Sequence, residues 1–114
     1  LDAKERIFIS EFIPLYINNP DRKELSFKTL EGDAMAMNLL KDVLGDIPLK
    51  LIDKEAIRKF KEISIRRVKS TSVNSYLRHI KSDLNWARGE EHITKTPVIK
   101  MYKTAQKLTR YLSK

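Results

Sequence analysis
The chain has 114 residues, no cysteine, 41% hydrophobic and 33% charged residues, and a formal net charge of +8. That allows one small domain, too apolar to be disordered and too charged for a membrane protein, without disulfides, thiolate metal sites or a cysteine nucleophile. No apolar run approaches the ~20 residues of a spanning helix, and Leu1-Asp2-Ala3-Lys4-Glu5-Arg6 lacks the form of a signal peptide, so a cytoplasmic location is expected. The start at Leu1 rather than at a methionine suggests a piece of a longer protein.

From Lys4 to Asn18, Ile7, Phe8, Phe12, Leu15 and Tyr16 recur at steps that predict an amphipathic helix, with Pro14 as the place for a kink. Asn18-Asn19-Pro20-Asp21 is a turn cluster that closes it. Ser26 is the expected cap of a second helix whose buried face is Leu30, Met37, Leu40 and Leu44, with Gly32 weakening its middle and Gly45 at its C-terminal end. Asp46-Ile47-Pro48-Leu49 reads as an extended connector. Asp53 then caps a third helix, in which Ile52 and Ile57 have hydrophobic-staple spacing and Phe60 continues the face.

Ser70 is the expected cap of the fourth helix, in which Val73, Leu77, Ile80, Leu84 and Ala87 form a narrow seam ending before Gly89. Ile93 to Pro97 is a return loop, and Val98 to Leu112 shows weaker helical spacing in what is otherwise a basic linker. No strand-like alternation, repeat or low-complexity tract is present, so the fold class is all-α.

The charge is uneven. Residues 1–49 carry six Lys/Arg against nine Asp/Glu, net −3, whereas residues 50–88 carry eleven against four, net +7. Residues 89–94 add Glu90 and Glu91, and residues 95–114 add six basic residues and no acid. Such asymmetry points to a polyanionic partner, double-stranded DNA first, because a basic face concentrates near phosphate and releases its counterions. A well-solvated surface is the competing reading.

On the fourth helix Asn74, Arg78, Lys81, Asn85 and Arg88 line one side beside the seam. Ser70, Thr71, Ser72 and Ser75 crowd its first turns, where free N–H groups and the helix dipole favour phosphate, and Arg66, Arg67 and Lys69 lead into it. Small polar residues at a helix start with donors along one flank suit a major groove, Asn74 and Arg78 being the candidate base readers. For Arg78 and Lys81 DNA contact is the stronger reading; for Asn85 and Arg88 plain solvation is.

These residues resemble a known family, the core-binding (SAM-like N-terminal) domain of tyrosine recombinases of the phage integrase type. Phe27-Lys28-Thr29-Leu30, then Leu40 and Val43-Leu44-Gly45-Asp46-Ile47-Pro48-Leu49, looks like its second helix and glycine-ended connector. Ile52-Asp53-Lys54-Glu55-Ala56-Ile57 is similar to its third helix. Ser70-Thr71-Ser72-Val73-Asn74-Ser75-Tyr76-Leu77, continued by Ile80, Leu84-Asn85-Trp86-Ala87 and Ile93 to Thr96-Pro97, is similar to its fourth helix and exit. Gly32, where a helix former is expected, and Thr96 before Pro97 depart from the pattern. Lys107 to Lys114 looks like the linker and first residues of the family's catalytic domain.

The resemblance implies a four-helix orthogonal bundle over residues 1–97 and a linker over residues 98–114 toward a catalytic domain beyond this sequence. It implies DNA gripping at one half of a crossover site during integration or recombination, with neighbouring protomers as further partners. By the same resemblance Lys28 and Thr29 on the second helix are expected to join the fourth-helix residues, with Lys100 and Lys103 expected to touch phosphates.

The family's strand-cleavage chemistry is not expected within these residues. Ser82 stands third after His79 and Lys95 third after His92, so neither histidine begins His-x-x-Arg. Tyr16, Tyr76, Tyr102 and Tyr111 read as packing residues, and Trp86 as packed on the return loop near Ile93 rather than stacked on a base. No metal-ligand spacing or phosphate loop is present, and no cofactor is expected. The alternative is a helical protein-interaction module in which the acidic first helix and the seam-flanking residues dock a partner. A free-standing helix-turn-helix regulator lacks its short turn between helices three and four, and RNA binding lacks an aromatic platform.

Overall fold
The computed structural model describes residues 7–18 and 27–103. Among them the chain forms four α-helices, α1 (Ile9–Ile17), α2 (Phe27–Leu44), α3 (Lys54–Ser64) and α4 (Ser70–Gly89), with a 3-10 turn at Leu49–Leu51 and no strand. The all-α class follows, with α2 packed against α1, α3 and α4. Ser26 and the segment from Thr104 onward, including Lys107 to Lys114, lie outside the described residues.

Local chemistry sets most of the boundaries. The α1 start is held from a distance: the backbone N–H and hydroxyl of Ser10 both donate to Asp46, at 2.9 and 2.6 Å. Glu11 accepts from the Phe8 backbone N–H at 3.1 Å, a reach-back that satisfies another free donor. Beside them Ile9 N–H donates to Ile47 and Leu49 N–H to Ile7, an isolated two-bond bridge that ties the α1 entry to the connector after α2. The helix continues through Pro14, which itself contributes no N–H to the ladder.

At the end of α2 Gly45 adopts φ +87 and its N–H donates to the Lys41 carbonyl, the left-handed cap expected there. Asp53 caps α3 as expected, accepting from Ala56 N–H at 2.9 Å, and Ile52 and Ile57 both enter the core. The α4 start differs from expectation. Lys69, in extended conformation, is the N-cap and Ser70 the first helical residue, with no side-chain cap bond. The Lys69 carbonyl accepts from both Ser72 and Val73, so the backbone closes the first turn by itself.

The core is one cluster. Val73, Leu77, Ile80, Leu84 and Ala87 of α4 are fully buried against Phe12 and Tyr16 of α1, Met37 and Leu40 of α2 and Phe60 of α3. Each large apolar side chain so buried contributes about 1.5–3 kcal/mol, which is why the seam dictates how α4 lies. Trp86 packs on Tyr16 (ring centroids 5.1 Å) and Phe12 (5.8 Å) as well as on His92 of the return loop (6.4 Å).

Residues 98–103 are not helical, contrary to their spacing. They run as an extended strap from the return loop back across α3 and α4. Lys61 Nζ donates to the Lys100 carbonyl at 2.6 Å, and the Asn74 side chain grips the backbone of Tyr102. With the Lys100 carbonyl and both backbone polar groups of Tyr102 met by side chains of two helices, this stretch is held without coiling on itself.

Candidate nucleic-acid interface
Helix α4 turns about 100° per residue, so its buried seam leaves one exposed face. That face carries Arg78, Lys81, Ser82, Asn85 and Arg88, all exposed. The one acid on the helix, Asp83, is fully buried in the core, which leaves the exposed face cationic and without a carboxylate. Three cations along one ridge repel one another unless an anion lies on them, and the low number of competing acids leaves them available.

Asn74 departs from its expected role. It lies on the same side of α4 but is only 6% exposed. Its amide nitrogen donates to the Tyr102 carbonyl at 2.8 Å and its oxygen accepts from the Tyr102 N–H at 2.8 Å. The amide that sequence reasoning assigned to a base edge is therefore occupied by the chain's own backbone. Its partner lies 28 residues away, so no local pattern signals it.

The grip has a geometric consequence. By holding Tyr102 it sets the neighbouring Lys103, which is exposed, beside the first turns of α4, and Lys61 sets exposed Lys100 against α3. Arg66, Arg67 and Lys69, exposed in the turn between α3 and α4, border the same corner. Ser70, Thr71, Ser72 and Ser75 are half-buried there. The turn and the strap thus bring Arg66, Arg67, Lys69 and Lys103, distant in sequence, toward the start of α4.

Lys28 and Thr29 are placed differently. One turn after them Gly32 of α2 sits under the His79 ring, so close that a Cβ there would lie 2.9 Å from His79 Cε1. The N-terminal part of α2 is therefore applied to the His79 flank of α4, round the helix from Arg78 and Lys81. Exposed Lys28 borders that second flank.

A buried polar network underlies this contact. The Tyr16 hydroxyl donates to Asp33 Oδ2 at 2.6 Å, and His79 Nδ1 pairs with Asp33 Oδ1 at 2.6 Å, joining α1, α2 and α4. Sequence reasoning read Tyr16 as a packing residue and His79 only as failing to begin His-x-x-Arg, and gave Asp33 no role. The signal that could have linked them is Gly32, a poor helix former next to the one acid that faces the core of α2.

Among the described residues no group of three His, Asp or Glu side chains is arranged to hold a metal, and no helix is long and apolar enough to cross a membrane. Comparisons with family models, with curated proteins and with solved structures find no match.

Proposed function
We propose that this domain binds double-stranded DNA, as the DNA-gripping part of a site-specific tyrosine recombinase acting in the bacterial cytoplasm. The observation that carries the reading is the exposed face of α4, with Arg78, Lys81 and Arg88 and no exposed acid. Arg78 supplies planar donors that read a base edge and Lys81 a phosphate contact, while Asn85 and Arg88, read from the sequence as solvated, stand exposed on the same face and extend it. Arg66, Arg67, Lys69, Lys100 and Lys103 extend the phosphate track around the start of α4. The chemistry of strand exchange belongs, in this reading, to a domain beyond these residues.

The test is affinity for a duplex over a salt series. Contact with about five phosphates gives a log-log slope of about −4 to −5, and the double substitution R78A/K81A reduces its magnitude by about 2. An unchanged slope in the folded double variant would place DNA elsewhere or nowhere.

A further inference from the structure
The strap makes a second surface on its other side. Between it and α3 lies an open cleft of about 280 Å³. Its apolar lining comes from Ile57, Val98 and the Tyr102 ring. Val98 is 63% exposed, the most exposed large hydrophobic residue among those described, and nothing in the packing of the core accounts for its position. Around this lining stand the cations Lys54, Arg58, Lys61 and Lys100, against the single acid Glu62.

The cations are not equivalent. Lys61 already donates to the Lys100 carbonyl and rests 4.6 Å from the Tyr102 ring centroid, so it builds the wall rather than the rim. Arg58 pairs with Glu55 at 2.8 Å across an exposed helix surface, a contact worth little and easily exchanged. Lys54, at the first turn of α3, and Lys100, on the strap, are exposed at the rim.

The volume falls at the lower end of ligand pockets, about 300 Å³, which suits one or two side chains of a larger partner rather than a cofactor. An apolar floor ringed by cations complements an apolar side chain flanked by carboxylates. A phosphate backbone would use the rim and leave the floor wet. We infer that the cleft between α3 and the strap docks an acidic segment of a partner protein, a bulky aliphatic or aromatic anchor seated on Ile57, Val98 and Tyr102 and its flanking carboxylates on Lys54 and Lys100. The cleft lies apart from the α4 face and shares only Lys100 with the proposed phosphate track, so R78A/K81A, which weakens duplex binding, should leave the peptide shifts unchanged.

The test is an amide NMR titration of the labelled chain with a short blocked peptide in which leucine is flanked by glutamates, and with its serine counterpart. The expected result is saturable shifts at Lys54, Ile57, Val98, Lys100 and Tyr102, with affinity about tenfold weaker for the serine peptide, as loss of one buried apolar side chain predicts. Val98→Asp, an exposed change that leaves the core intact, should abolish the shifts, and Lys54→Glu with Lys100→Glu should do the same. Equal binding of both peptides would reduce the effect to net charge and overturn the inference. So would an absence of saturable shifts, or shifts at Ile57 and Val98 on adding duplex DNA alone, which would assign the cleft floor to the DNA surface.

Discussion
Asn74 and Tyr102 form a closed two-bond ring, side-chain amide to backbone amide, each bond 2.8 Å long. It is the contact that fixes the strap to α4 and, through it, the position of Lys103. Asn74→Ala leaves the Tyr102 N–H and carbonyl without their partner in a half-buried place, and a loss of about 1–3 kcal/mol is expected. Hydrogen exchange at the Tyr102 amide should rise more than the global stability falls. Equal changes would mean that the strap is held by its apolar contacts.

Gly32→Ala sets two effects against each other. Alanine gains about 1 kcal/mol of helix propensity, but its Cβ meets the His79 ring at 2.9 Å. The ring cannot swing away freely because its Nδ1 is bonded to Asp33. The expected outcome is net destabilisation of about 1 kcal/mol, relieved in the background His79→Ala. A double-mutant cycle by urea denaturation measures that coupling directly.

Tyr16→Phe removes one donor from buried Asp33 and leaves the ring packing on Phe12 and Trp86 in place. The cost should be about 1–3 kcal/mol, the penalty for a buried acceptor left without that bond. Thermal unfolding of the variant, with circular dichroism to confirm unchanged helix content, checks it.

Asp46 gives the fold an acid-sensitive latch. The hydroxyl and N–H of Ser10, and then the charge of Lys41, hold its carboxyl below the usual aspartate range. Because the folded state binds the proton less readily than the unfolded chain does, the latch stabilises fully above the unfolded value and fades as pH falls through the folded one. Asp46→Asn should lower the melting temperature at neutral pH and flatten its decline on acidification. Parallel acid limbs for the two proteins would show that the latch contributes nothing.

What was legible in the sequence was local. Asp53, Gly45 and the α4 seam carry their signals within a turn or two of where they act, and the structure agrees with each. The α4 cationic face is equally periodic and equally visible. The strap was not, because Val98 to Lys103 mimics helical spacing while its conformation is decided by Lys61 and Asn74, far away in the chain. Asn74 itself illustrates the ambiguity of an amide on a polar stripe, whose donor and acceptor fit a base edge and a backbone unit alike. Gly32 looked like a weak point in α2, and its meaning lies in the ring of another helix.

Trp86 is the chain's only tryptophan, and it sits between the aromatic rings of α1 and His92, round the helix from Arg78 and Lys81. Its fluorescence is therefore a built-in gauge of how α1 and the return loop are seated on α4. A ligand on the cationic face leaves that emission steady, whereas detachment of α1 shifts it. Binding and unfolding can thus be told apart in the same cuvette without a label.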